Sequence, residues 1–324
     1  MLQKNTKNPV KKLLVCLFNA CGRLMKNDKT FITYLWILLS MIFWGMSFIW
    51  TSIVFTCYPP ITTIFLRLVL ASLILMGGLV VFRRLERIRK KDVGLFLLSA
   101  FFNPFLYFIG ENFGLKYTSP SISAVVIATI PLLTPMAAYF IVKERITWLN
   151  IAGILLSFAG IPLMLINRDM TFTASPAGVG LLFFAVVSAV VYSSFLKKLA
   201  AHYGPFSIIA WQNLIGMVYF LPLFLILDLD EFRAITPDWK AITALLQLAV
   251  FASTLAYVLF TIGVKKIGVS RTNVFTNLIP IFTATFSYFI LAESFNAQKI
   301  SGILVVISGV ALTQIQHFKR KIQP

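Results

Sequence analysis

Long apolar runs separated by short polar or basic stretches organise this chain. Ten runs fall at about 34–55, 61–82, 93–112, 120–142, 148–166, 178–196, 206–227, 241–262, 270–291 and 299–316. Their apolar positions are continuous rather than alternating, which predicts helices and argues against a barrel of strands. As helices of roughly 20 residues, the runs match the ~30 Å apolar core of a bilayer. The expected fold is an all-α membrane protein with ten transmembrane helices. Ahead of the first run, Val10, Leu13, Leu14, Leu17, Phe18, Cys21, Leu24 and Met25 recur at helical spacing, with Lys11, Lys12, Arg23 and Lys26 between them. Residues 1–30 are therefore expected to be a cytoplasmic tail carrying an amphipathic helix on the anionic inner leaflet. A signal peptide is the competing reading, but the apolar run is short and Asn19 breaks it.

The pattern repeats. Residues 113–166 and 262–315 align without a gap at an offset of 149 residues, and about a third of the positions are identical. The matches include Gly114/Gly263, Pro131/Pro280, Glu144/Glu293, Gly153/Gly302 and Gly160/Gly309. Two units follow, 34–166 and 178–316, joined by the polar stretch 167–177, with a second short tail at 317–324. Each unit holds five expected spans. Five is odd, so the second unit must enter the membrane from the opposite face, and the repeats are inverted. Such a repeat in an apolar chain is a mark of secondary transporters.

Composition narrows the class. Of 324 residues, 59% are hydrophobic and 12% are charged, against about 25% charged in a soluble domain. The net charge of +18 is distributed as a topology signal, not as a nucleic-acid footprint. With the N-terminus in the cytoplasm, 23 Lys and Arg fall inside and five outside. Loop 83–92 (RRLERIRKKD) alone holds six of them. The positive-inside rule then puts both termini in the cytoplasm. Cys16, Cys21 and Cys57 form no regular framework, so no disulfide, metal or cofactor is expected.

With these residues in view, the chain resembles the EamA domains of the drug/metabolite transporter superfamily. Each unit ends on a Pro-bearing helix, a Glu at its mouth and a glycine-rich last helix: Pro131, Glu144, Gly153, Gly160, then Pro280, Glu293, Gly302, Gly309. Phe43, Trp44 and Gly45 near the start of the first unit, and Arg67 in its second helix, also fit. The second unit has no aromatic–Gly pair at its start. The resemblance covers about 34–316. It implies a ten-helix carrier of the bacterial inner membrane with a central cavity, often exporting amino acids or other metabolites.

Arg67 and Glu111 are the only charges expected inside the membrane, where an unpaired charge costs about 2.5–3.5 kcal/mol on insertion scales. One reading makes them an ion pair tying the second helix to the third. The other has them meet a polar substrate or a coupling proton. The two readings are compatible. Trp44, Asn103, Asn112, Tyr192, Trp211, Gln212, Asn273 and Asn277 are further candidates for a cavity, because buried amides need partners and aromatic rings can stack on a ligand. Pro131 and Pro280 each remove a backbone donor within a helix, as kinks for packing or as hinges. The cavity is expected between the halves, framed by helices 2, 3, 4, 7, 8 and 9 with Trp44 at its edge, while helices 5 and 10 serve as packing elements. Glu144 and Glu293 sit at helix mouths, as rim charges, caps or gates. Gly153, Ser157 and Gly160 share one helix face, where backbones can approach closely.

The sequence reading is thus a secondary-active transporter exporting small metabolites by alternating access, with lipid and a small-molecule substrate as partners. A non-transporting membrane scaffold or sensor is the alternative. An intramembrane enzyme finds no support: His202 and His317 lie in a loop and a tail, and no Gly-x-Ser-Gly, HExxH or Walker A signature is present.

Overall fold

The computed structural model describes residues 28–133, 148–165, 174–236 and 238–319. The expected tail helix over 10–25, Glu144, and the second half of the expected fourth span lie outside them. The described residues are helical, with no strands among them. In order the elements are α1 (Asp28–Val54), α2 (Pro60–Val81), α3 (Lys90–Lys116), α4 (Pro120–Leu133) and α5 (Trp148–Leu165). They continue with α6 (Pro176–His202), α7 (Pro205–Ala234), α8 (Trp239–Ile267), α9 (Arg271–Leu291) and α10 (Ala297–Lys319). Among the described residues, seven helices are long and apolar enough to cross a membrane: α1, α2, α3, α6, α7, α8 and α9. Shorter apolar stretches lie in the other three, at Pro120–Leu133, Ile151–Leu163 and Ala297–Leu312.

Local chemistry sets the starts. Pro60, Pro120, Pro176 and Pro205 each occupy the first turn of a helix, where a missing N–H costs nothing and φ is already helical. Ser119 and Asp238 accept from the backbone N–H groups of Ile122 and Lys240, satisfying donors that a helix start leaves open. Two helices are interrupted at related places. In α3 the turns widen over Phe101–Leu106, where Asn103 leaves helical geometry ahead of Pro104. In α8 they widen over Leu248–Ala256. A serine from another helix reaches each widened segment: Ser188 of α6 donates to the Phe102 carbonyl at 2.6 Å, and Ser40 of α1 to that of Ala256 at 2.8 Å.

The packing follows one rule. α2 lies on α7, α4 on α9 and α5 on α10; α1 contacts α8 and α9, while α6 contacts α3 and α4. Exchanging each helix with the one five places on maps this set onto itself. The backbones of α5 and α10 approach closely. A Cβ added at Gly160 would come within 2.9 Å of the Gly302 carbonyl oxygen, and one at Gly309 within 2.6 Å of that of Gly153. Between them Ser157 donates to the Val306 carbonyl at 3.0 Å, a contact between residues 149 apart, the repeat offset itself. The small-residue face read from the sequence therefore brings these two backbones together.

Opposite ends of the α2–α7 pair are clasped by acids. Asp228, near the end of the apolar part of α7, accepts from the backbone N–H and hydroxyl of Thr62 at 2.9 and 2.8 Å. Glu86, beyond the end of α2, accepts from the backbone N–H of Gly204 at 3.0 and 3.1 Å. A carboxylate at a helix start meets unpaired N–H groups and the positive end of the helix dipole. Each helix of the pair is thus capped from the far end of its neighbour.

Candidate functional site

A pocket opens at the centre of the bundle, with about 660 Å³ of non-atom space including its mouth. α1, α2, α3 and α4 line it from the first half, α6, α8 and α9 from the second. Both expected membrane charges lie on its wall. α2 carries Arg67, which is 2% exposed. Its Nε donates to Ser253 Oγ at 2.8 Å, and its guanidinium lies 4.2 Å from the centre of the Phe108 ring. Ser253 is held in the widened part of α8, and its carbonyl also accepts from Asn213 Nδ2 of α7 at 3.1 Å. Arg67 is thereby positioned by two further helices. Glu111, on α3, accepts from the Tyr107 hydroxyl one helical turn earlier at 2.8 Å. Among the described residues neither charge makes an ion pair. Two opposite charges face one pocket, each held by a neutral partner.

Aromatic rings and amides complete the wall. Trp44 of α1 meets Tyr257 and Phe260 of α8, with ring centres 5.0 Å apart in both cases. Tyr257 donates to Asn103 Oδ1 at 3.2 Å, fixing an amide in the irregular part of α3. Tyr192 of α6 also lines the pocket, and its hydroxyl donates to Gln212 Oε1 at 3.1 Å. Asn273 of α9 lines it too; it is 3% exposed, and its Nδ2 has no hydrogen-bond partner among the described residues.

The proline positions meet at the same place. Ile127 and Ile130 of α4 line the pocket, as do Thr276 and Ile279 of α9. These are equivalent pairs, four residues and one residue before Pro131 and Pro280. Because proline has no N–H, the donor that an unbroken helix would offer the carbonyls of residues 127 and 276 is missing. The backbone departs from the α-helix just there, turning at 128–129 and tightening over Val274–Leu278.

Six of the ten polar, charged and aromatic candidates from the sequence therefore share one pocket: Arg67, Glu111, Trp44, Asn103, Tyr192 and Asn273. Four do not line it. Gln212 stands behind Tyr192, its Nε2 donating to Ser99 Oγ at 2.6 Å. Asn112 turns back on its own helix and donates to the Phe108 carbonyl at 3.0 Å. Asn277 lies one turn beyond Asn273, with its Oδ1 buried and without a partner among the described residues. Trp211 donates to the Glu86 carbonyl at 2.9 Å, in the contact with loop 83–92. The expected frame changes accordingly. α7 contributes no lining side chain, because Tyr192 and Ser253 stand between it and the pocket, and α6 takes its place. Sequence reasoning missed Tyr107, Tyr257, Ser193 and Thr276. The spacing of Tyr107 and Glu111, one helical turn apart, was the available signal for the first.

Outside the pocket, Glu293 joins three elements. It accepts from Ser121 at the start of α4 at 2.8 Å, from Ser287 of α9, and from Lys299 Nζ of α10 at 2.5 Å. Burial alone would raise its carboxyl, but hydrogen bonds from Lys299 and neighbouring serines hold it below the ordinary carboxylate range.

Comparison with known proteins gives one consistent result. The model of the EamA-like transporter family matches residues 31–166 and 176–315. The uncharacterized transporter YetK of Bacillus subtilis (strain 168) is 28% identical over 258 residues, covering 78% of this chain and 77% of YetK. An uncharacterized transporter of Archaeoglobus fulgidus is 25% identical over 282 residues, covering 85% and 96%. The chloroplastic WAT1-related protein At3g02690 of Arabidopsis thaliana is 23% identical over 307 residues, covering 90% and 71%. One solved crystal structure superposes with a TM-score of 0.64 at 16% identity, covering 90% of this chain and 99% of its own, which is a likeness of fold.

Proposed function

Because the chain belongs to the EamA-like transporter family, we propose that it is a secondary-active carrier that moves small zwitterionic metabolites, amino acids or related compounds, by alternating access through the central pocket. Family membership points to transport rather than catalysis. One observation carries the substrate class: Arg67 and Glu111 face the same pocket without pairing to each other. A substrate carboxylate meets Arg67, whose planar fork suits it, and a substrate ammonium meets Glu111. Trp44, Tyr257 and Phe260 supply an apolar wall. Between substrates, Glu111 is the coupling-proton candidate, with the Tyr107 hydroxyl beside it.

The mechanism rests on ten membrane-crossing helices in two inverted five-helix repeats. The self-mapping contacts and the matched interruptions in α3 and α8 support this arrangement. In such a repeat the halves exchange conformations and the site opens to either face in turn. Pro131 and Pro280 are the hinges, since the backbone departs from the α-helix at corresponding places beside the pocket. The distribution of Lys and Arg supports cytoplasmic termini, and the bacterial relatives support the plasma membrane. Export is the direction that the family resemblance favours.

Purified protein in proteoliposomes should catalyse exchange of labelled amino acids. Arg67→Gln and Glu111→Gln should each reduce that exchange at least about tenfold, as loss of a buried charged contact does. Amino-acid exchange at the wild-type rate in both variants, or none in well-inserted wild-type protein, would count against this reading.

A further inference from the structure

A second concavity lies on the outer surface of the bundle, at the basic end of α2. Ile74, Leu75, Gly78 and Leu79 of α2 line it, with Phe82 just past its end and Phe206 from the start of α7. One charged residue, Arg84, lines it as well. Its apolar walls are exposed: Phe82 is 74% accessible and Phe206 48%. The floor is open at Gly78, where an added Cβ would meet nothing within 4 Å among the described residues. A glycine here costs helix stability relative to alanine. What it leaves is room beside the helix.

The turn that brings Arg84 to this groove is unusual. Arg83 has φ +53°, the left-handed region that helix ends normally give to glycine. The N–H of Arg83 bonds the Val80 carbonyl and that of Arg84 the Leu79 carbonyl, at 3.0 and 2.9 Å. The chain folds back over the last turn of α2, and the second arginine comes to lie against the groove. Among the described residues Arg84 makes no ion pair. The nearest acid in sequence, Glu86, is engaged by the Gly204 N–H. Arg83, Arg87, Lys90 and Lys91 are exposed around it. An apolar groove along a helix long enough to cross a membrane, ending on a guanidinium with no ion pair among the described residues, suits the shape and charge of an anionic lipid.

We propose that this groove is a binding site for one anionic glycerophospholipid: an acyl chain lies over Gly78 between Ile74 and Phe206, and the phosphate meets Arg84. The surrounding basic loop adds long-range attraction but no groove of its own. The site requires only a membrane setting and is independent of what the central pocket carries.

Native mass spectrometry of the full chain in detergent tests it, with phosphatidylglycerol, phosphatidylcholine and inorganic phosphate added separately. Wild-type protein should retain one phosphatidylglycerol under activation that strips phosphatidylcholine, and should hold no phosphate. Arg84→Gln should weaken that retention about fivefold, the loss expected for one basic contact near a lipid surface. Gly78→Leu, which fills the groove where no other described residue lies within 4 Å of an added Cβ, should abolish it while leaving the fold intact. Arg233→Gln, an equal charge change elsewhere, should leave it unchanged. Equal retention of both lipids, or phosphatidylglycerol retained by Gly78→Leu as by wild type, would overturn the proposal. Phosphate held as well as the lipid would reduce the site to an adventitious anion.

Discussion

At the residue scale, the question is how Arg67 stands charged in an apolar bundle. Its positive charge is spread over the Phe108 ring, and its direction is fixed by Ser253. A cation over an aromatic face gains about 0.5–2 kcal/mol, less than the cost of removing the charge from water, so the residue remains available to a stronger partner. Ser253 is a positioning residue rather than a ligand. Ser253→Ala should therefore raise the substrate KM several-fold while the protein still inserts. Ser253→Thr, which keeps the hydroxyl, should restore much of the affinity. Binding isotherms on the two variants check this, and equal loss in both would mean that volume rather than the hydroxyl matters. Arg67 and Glu111 were legible from sequence because a charge inside an apolar run is conspicuous. Tyr257 and Ser253 were not. An aromatic or a serine in such a run has an apolar or neutral face that lipid or packing can satisfy, and only the fold shows which way it turns.

Elements were legible where proline or a charge marks their ends, and α2, α6 and α7 start within two residues of the expected positions. The interruption in α8 was not, because Leu248–Ala256 (LAVFASTLA) contains no proline and nothing in its composition separates it from a straight helix. The loop between α9 and α10 carries a charge whose work the sequence left open. Glu293 fastens the start of α4 to the start of α10. A carboxyl lowered by folding stabilises the folded contact above its unfolded value, and that contribution is lost as pH falls through the folded value. Below the ordinary carboxylate value of 4.5, the tie between Ser121, Glu293 and Lys299 should therefore loosen. A spin-label pair on residues 121 and 299 would be silenced by its own substitutions, so labels belong one turn away, at Val125 and Ile303. Their separation should stay constant from pH 8 to about pH 5 and broaden in stronger acid. In Glu293→Gln it should be broad throughout. A distance that shifts in the wild type near neutral pH would contradict the tie.

For the whole molecule, the repeat was legible because 113–166 and 262–315 keep their prolines, glycines and glutamates in register. The earlier spans of the two halves diverge, since lipid-facing positions accept any apolar residue and leave no alignment behind. Their kinship is visible only in contacts: α1 does to α8 and α9 what α6 does to α3 and α4. Orientation remains a matter of charge. A single cysteine introduced at Lys90 should be protected from an impermeant thiol reagent in intact cells, and one at Lys240 should react. The reverse pattern would turn the whole topology over.

The contact between Ser157 and Val306 has a consequence of its own. On the inverted-repeat reading these are the same position in two copies, and equivalent residues touch only across a two-fold axis. The α5–α10 seam is then isologous, a self-complementary interface of the kind that closes symmetric dimers, here folded into one polypeptide. Each half carries both sides of the fit. A substitution on that seam is constrained less by an unrelated neighbour than by the mirror of its own lineage, so the two halves are free to drift apart everywhere except where they face themselves.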